Sequence, residues 1–212
     1  MRNMIAAAAL LLSAPFAANA ATIDGVHYNT TTNPQNIAGA RAIIANAVAP
    51  TATFEAMALE FTNQSAGNTL DTWLGTNGTV TGGTAEAVAS AVFVFSGLVS
   101  LQAGINTFGV QSDDGFELLI DGNRVADFDK NRGFNQTPTT GDFDAGNGGV
   151  FAFELLFWDG PGGATGLRTP LKGNVLGMNA VVGTAPVPLP AGLPLLAAGL
   201  GGLAVLRRRT RS

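Results

Sequence analysis

The clearest alternation of apolar and polar positions lies in the middle of the chain. Phe108 and Val110 stand two apart, and so do Phe116, Leu118 and Ile120. A period of two puts each set on one face of a strand. Between them lies Ser112-Asp113-Asp114-Gly115, and after them comes Asp121-Gly122-Asn123, residues that accept positive φ at low cost and turn a hairpin. Residues 108–128 therefore read as strand, acidic corner, strand, tight turn, strand.

The flanking patterns are plainer. Residues 150–158 are apolar except for Glu154, as in a strand covered on both faces. Residues 87–101 are apolar and β-branched and predict one or two strands, with Phe93 and Phe95 on one face. Residues 53–62 predict a weaker strand, and residues 167–182 one or two closing strands. The single helical signal is near the start. Asn33 is placed to cap and Pro34 to begin a helix in which Ile37, Ile44 and Val48 recur up to Pro50. Residues 63–83 read as loop around Trp73 and Leu74, and residues 129–149 as a long polar loop.

Composition supports a β-rich domain with many turns. The 212 residues include 28 Gly and 13 Phe, and no Cys. Without Cys there are no disulfides, thiolate metal sites or cysteine nucleophiles. The net charge of −4 hides a segregation, because Arg2, Arg207, Arg208, Arg209 and Arg211 are terminal. The body between them has six basic and fifteen acidic residues, a net of −9. Such a body repels phosphate backbones, which excludes nucleic acid as a partner, and it attracts cations.

Adjacent carboxylates at Asp113 and Asp114 repel each other, so a fold that uses them supplies donors or a cation. Two readings stand side by side. In one, the pair shapes the corner by accepting backbone N–H bonds. In the other, it holds a calcium ion, whose six to eight oxygen ligands come from carboxylates and loop carbonyls.

Residues 112–125 resemble the core signature of the protective-antigen-type β-sandwich, a module related to the yeast flocculin adhesins. The resemblance extends back through residues 95–98 and 103–108 and forward to residues 153–158. It implies a mainly β fold, an antiparallel, jelly-roll-like β-sandwich with one short N-terminal helix, over residues 21–183. It also implies carbohydrate binding, in several members through calcium held by the adjacent Asp pair, whose peptide bond can be cis. In the calcium-binding adhesins a later loop adds an Asn and backbone carbonyls. Here the matching residues 159–166 contain no Asn, and Asp159 is the substitute. The expected metal ligands are thus Asp113, Asp114 and Asp159. Gly160 and its loop complete the ligand site. Read from the residues alone, Trp158 at a strand end beside that Gly-rich loop either offers a ring on which a sugar can stack or is buried, the commoner place for a Trp.

The termini carry their own signals. Residues 1–20 have a basic start, a short apolar run and Ala18-Asn19-Ala20 as a cleavage site, the features of a secretory signal peptide. Residues 184–212 contain Val187-Pro188-Leu189-Pro190-Ala191, an apolar run to Leu206 and an Arg cluster. From 187 to 206 is long enough for a marginal membrane span, with the Arg cluster on the cytoplasmic side. The three-part tail resembles the PEP-CTERM sorting signals of Gram-negative bacteria, in the Val-Pro-Leu-Pro-Ala variant. That resemblance implies processing by an exosortase-type membrane enzyme, with a permanent anchor as the alternative.

Catalysis has little support. The only His is His27, and no serine-hydrolase or His-rich metal motif is present. Asp113 with Asp159 is a weak signal for a glycosidase pair. The run from Asp127 through Asp129 misplaces the Gly of an EF-hand and has Pro138 where Glu is needed. Asp142 and Asp144 form a shorter acidic run. The expectation is therefore an exported, calcium-assisted carbohydrate-binding or adhesive module that meets an extracellular polysaccharide or glycan. The alternative is a structural matrix or biofilm protein without specific sugar binding.

Overall fold

The computed structural model describes residues 22–64, 67–134, 137–160, 163–169 and 175–176. The signal-peptide and tail readings fall outside them. Among the described residues no helix is long and apolar enough to cross a membrane.

The elements in chain order are β1 (Ile23–Asn29), α1 (Ile37–Asn46), β2 (Ala52–Ala56), β3 (Glu60–Gln64) and α2 (Leu70–Leu74). After a 3₁₀ turn come β4 (Gly78–Gly83), β5 (Ala91–Leu101), β6 (Ile105–Asp113), β7 (Phe116–Ile120) and β8 (Asn123–Phe128). The last are β9 (Thr139–Asp144), β10 (Gly149–Asp159), β11 (Thr165–Arg168) and β12 (Val175–Leu176). A seven-stranded sheet runs β4-β2-β1-β5-β10-β7-β8, and a five-stranded sheet runs β12-β6-β11-β3 with β9 also on β6. The pairs are antiparallel except β12 with β6.

One core joins the two sheets. Phe93, Phe95, Leu155 and Phe157 of the larger sheet meet Phe61, Phe108, Val110 and Leu167 of the smaller. Trp73 stacks on Phe61 with centroids 4.4 Å apart, and its indole N–H donates to the Thr165 carbonyl. The predicted β-sandwich is the observed fold.

The central hairpin forms as the pattern requires. Asp121 and Gly122 both have positive φ, 50° and 75°, the backbone of a two-residue turn matched to strand twist. Helix α1 covers the outer face of the larger sheet, with Ile37 and Ala40 against Val92, Leu156 and Trp158. Arg41 fixes it further by pairing with Glu117 and Glu154, and Arg124 pairs with the same buried Glu117.

Several expectations change. Helix α1 is capped by Asn36, whose side chain accepts from Gly39 N–H at 2.8 Å, and not by Asn33. A second helix, α2, interrupts the stretch read as loop, because Leu70, Trp73 and Leu74 bury one short face. Residues 53–62 divide into two strands in different sheets. Strand β10 is covered on both faces only toward its C-terminal end, where α1 lies, and Val150 at the other end is 56% exposed.

Strands β1 and β9 carry too little apolar sequence to have been seen. Inward positions of β1 are Ile23, Gly25 and His27, of which only the first is a large apolar residue, and a Cβ on Gly25 would overlap the Phe54 ring. Strand β9 presents one large apolar residue, Phe143, in a half-exposed ribbon on β6.

Candidate functional site

Strand β6 ends at Asp113, and β10 ends at Asp159. The corner after β6 is stitched to the end of β10. Asp114 N–H donates to the Trp158 carbonyl at 3.0 Å, and Trp158 N–H donates to the Gly115 carbonyl at 3.1 Å. The peptide bond between Asp113 and Asp114 is cis. One carboxylate oxygen from each of Asp113, Asp114 and Asp159 lies within 4.8 Å of the others. The three residues read from the sequence as ligands are therefore brought together.

Asp114 is the most constrained of them. Its Oδ1 accepts from Arg132 N–H at 2.9 Å and its Oδ2 from Gly160 N–H at 2.8 Å. Both oxygens thus hold loops that are distant in sequence, which is a corner-shaping role as well as a ligand position. Asp113 accepts from Phe134 N–H.

Arg132 supports the corner from behind. Its Nε and Nη2 donate to the carbonyls of Ser112 and Val110 at 3.2 Å, and Nη2 donates to Ser112 Oγ at 3.0 Å. Its guanidinium lies 4.3 Å from the Phe128 ring centroid. The side chain is used up by these contacts and stays beneath the carboxylates.

Asp159 is 1% exposed, and its Oδ2 has no hydrogen-bond partner. Burial, with the charges of Asp114 and Asp113 and against the pull of the Thr165 hydroxyl and Ser90 N–H on the carboxylate, pushes its carboxyl up to about 8. Asp113 is pushed up to about 6, first by burial and then by Asp114, against the pull of Phe134 N–H and Arg132. Burial also raises Asp114. Asp159 thus holds a proton near neutrality unless a cation replaces it.

Gly160 lines the site because it has no side chain. A Cβ there would stand 2.7 Å from Asp114 Oδ2, 2.9 Å from Asn33 Oδ1 and 3.3 Å from Asn131 Nδ2. The backbone thus leaves a small cradle walled by oxygen and amide groups. Asn33 Oδ1 is buried and has no hydrogen-bond partner, like Asp159 Oδ2. Asn131 is different, since its Oδ1 accepts from the Trp158 indole N–H at 3.1 Å. Orphaned buried oxygens beside converging carboxylates, all from carboxylates and amides, fit a hard cation that takes oxygen ligands.

Trp158 corrects the expectation of an open stacking ring. It is fully buried between α1 and the corner, and Gly115 passes so close over the indole that a Cβ would overlap it. Its part is to hold Asn131 and the corner in place. The other acidic runs are spent elsewhere. Asp129 Oδ1 accepts from Ile37 N–H at 2.6 Å at the start of α1. Asp142 accepts from Thr107 Oγ1 at 2.7 Å, and Asp144 from Gly146 N–H at 2.9 Å.

Asn33, Asn131 and Arg132 were missed as site residues. Asn33-Pro34 has the form of a helix start, and that form hid it. Asn131 and Arg132 lie in the run set aside as a failed EF-hand, where the only signal was the length of the polar loop.

No family model matches the chain, and no curated protein matches it. Solved structures do. The PA14 domain of the MpAFP antifreeze protein aligns with a TM-score of 0.64 and 27% identity, over 85% of this chain and 100% of that one. The PA14 sugar-binding domain from an RTX adhesin aligns with a TM-score of 0.57 and 26% identity, over 71% of this chain and 89% of that one. The Epithelial Adhesin 9 A domain from Candida glabrata, solved in complex with Galb1-4GlcNAc, shares the fold alone, with a TM-score of 0.52 and 10% identity over 81% of this chain and 90% of that one.

Proposed function

We propose that this chain is an exported carbohydrate-binding or adhesive module of the cell surface, with a calcium ion at its acidic end. Asp113, Asp114 and Asp159 hold the ion, and the Gly160 loop borders it. The observation that carries the reading is the convergence of three carboxylates from two strand ends, with a buried Asp159 oxygen left without a partner. The likeness to a PA14 sugar-binding domain supports the same reading.

A bound calcium ion supplies open coordination positions that the paired hydroxyls of a sugar can fill. The chain's own part is to keep the carboxylates converged. The two N–H bonds to Asp114 and the buried Arg132 fix them before any ligand arrives. The partner is then an extracellular polysaccharide or glycan. A binding role accords with the position of His27, which is buried against Phe93 in the core and not beside the acids.

The route to the surface rests on the termini. A signal peptide over residues 1–20, the sandwich over 21–183 and a sorting tail over 184–212 make the chain a substrate of an exosortase-type enzyme. The membrane then holds it only until processing, in a Gram-negative bacterium.

A second reading has one observation in its favour. Asp114 already satisfies two backbone N–H groups, which a purely structural corner in a matrix protein would also need. Thermal melts of the protein in excess calcium and in EDTA separate the two. Specific ion binding raises stability by roughly 2.7 kcal/mol at a hundredfold excess over Kd. A shift that vanishes on Asp113→Ala with Asp114→Ala supports the calcium site and leads to a glycan screen. No shift at millimolar calcium leaves the matrix reading.

A further inference from the structure

The structure assigns Asn33 to the cation site as an additional oxygen ligand, which makes the segment between β1 and α1 one wall of that site. This inference rests on the calcium reading and goes beyond it, because it names a ligand from a part of the chain that reads as a helix cap.

Three observations meet at Asn33. Its Oδ1 is buried and has no hydrogen-bond partner. The same oxygen and Asp114 Oδ2 lie 2.9 Å and 2.7 Å from the point where a Gly160 side chain would begin. Both oxygens therefore close on the same Gly160 Cα, so Asn33 Oδ1 and Asp114 Oδ2 are near neighbours, and Asn33 Oδ1 has no hydrogen-bond partner. A buried acceptor is costly to leave unmet, and a cation between acceptors meets several at once. Asp159 Oδ2, also buried and unmet, adds an oxygen of the same kind.

The backbone explains why Asn33 can serve as a fixed ligand. Thr30 N–H donates to the Ser90 carbonyl at 3.0 Å, and Ser90 N–H donates to the Gly160 carbonyl at 3.2 Å. The segment that bears Asn33 is thus tied through one residue to the loop that borders the site. Thr30 Oγ1 accepts from Thr32 N–H at 2.9 Å and tightens the approach. Pro34 is buried, and Asn36 starts the helix three residues later. Asn33 is held on both sides and is free of the capping duty that its sequence position suggests.

Asn131 makes a useful contrast. Its oxygen is taken by the Trp158 indole N–H, so it offers the site an amide N–H group. That group is suited to a carboxylate or to a ligand hydroxyl, and Asn33 is the amide whose oxygen is available.

The test is isothermal titration of calcium chloride into the full chain and two variants, with melts of each in EDTA. Asn33→Leu removes the oxygen at similar size and is expected to weaken calcium binding at least tenfold, with the EDTA melt little changed. Asn33→Asp keeps an oxygen and adds charge, and is expected to bind calcium at least as tightly as the unaltered protein, with a lower EDTA melt from added repulsion. Equal calcium affinity in Asn33→Leu and the unaltered protein overturns the assignment. So does weakening in Asn33→Asp as large as in Asn33→Leu, since that marks Asn33 as a hydrogen-bond donor to Asp114. Asn33→Asp decides alone if Asn33→Leu fails to fold. Absence of calcium binding by the unaltered protein is a separate outcome, which removes the calcium reading and this ligand with it.

Discussion

Gly160 N–H donates to Asp114 Oδ2 at 2.8 Å and joins two residues 46 positions apart in the chain. The bond closes the site, because Gly160 comes near enough only by lacking a Cβ. Its backbone is outside the left-handed region, so the constraint on side chains is steric. Gly160→Ala is expected to push Asp114 and Asn33 apart and to weaken calcium binding at least tenfold. Calorimetric titration measures the loss, and circular dichroism checks that the sheets remain. Unchanged affinity in a folded Gly160→Ala protein would show that the cradle is not the site.

The two adjacent acids are expected to separate in stability. Asp114→Ala leaves the Arg132 and Gly160 N–H groups without their acceptor, at about 1–3 kcal/mol for each that stays buried. Asp113→Ala costs less, since it also removes the repulsion that raises Asp113. Urea unfolding in EDTA should therefore rank Asp114→Ala well below Asp113→Ala, while both lose calcium binding. Equal stability would contradict the unequal bonding of the pair.

On the alkaline side, Asp159 sets the pH dependence of the ion-free protein. Its folded carboxyl is held up at about 8, against about 4 in an unfolded chain. The native state keeps a proton that the unfolded state has released. That contribution is complete below about pH 4 and is lost as pH rises through 8, at up to about 1.4 kcal/mol per pH unit. In EDTA the melting midpoint should fall between roughly pH 6.5, above which His27 no longer offsets it, and pH 8, and level off beyond. In excess calcium the fall should disappear, because the bound form needs the carboxylate.

His27 acts in the opposite direction. Burial lowers its imidazole to about 4, from 6.5. The unfolded chain takes up a proton first, so the contribution is present above 6.5 and lost as pH falls through 4. His27→Leu should flatten this part of the acid limb, which pH-dependent melts in EDTA will show. An unchanged acid limb would place the responsible group elsewhere.

Trp158 provides an optical probe. Its carbonyl is bonded to Asp114 N–H, and its indole holds Asn131 beside the site. Terbium, a stand-in for calcium, should therefore show luminescence sensitised by tryptophan excitation. Calcium should quench it by competition, and Trp158→Phe should abolish most of it. Emission that survives in Trp158→Phe would locate the metal near Trp73 instead.

The parts of this molecule legible in sequence are those where one chemistry dominates a short window. The Phe116, Leu118, Ile120 alternation and the Asp121-Gly122 turn gave the central hairpin without ambiguity. The Asp113-Asp114 corner and Asp159 were found because carboxylates are conspicuous in a chain of low charge. Strand β1 was invisible because only Ile23 among its inward positions is apolar and large, the others being a glycine shaped to Phe54 and a histidine stacked on Phe93. Asn33 and Asn131 were invisible as site residues for another reason. Their role depends on contacts with Gly160 and Trp158, over a hundred and nearly thirty residues away, and no local pattern records such contacts. The sequence left Trp158 open between stacking and burial because a tryptophan at a strand end looks alike whether or not a helix covers it.

The bond from Ile37 N–H, at the start of α1, to Asp129 has a consequence for how related chains can differ in length. Asp129 is fixed to Ile37 N–H, Asn131 to the Trp158 indole, and Arg132 to Asp114. Three anchors within four residues leave no slack for an insertion or deletion. The residues after Phe134, up to the start of β9, carry no such row of tethers among those described. Chains that keep this site should therefore keep the spacing from Asp129 to Arg132 unchanged and place their gaps beyond Phe134. That spacing, more than the acidic pair alone, is a mark by which to find them.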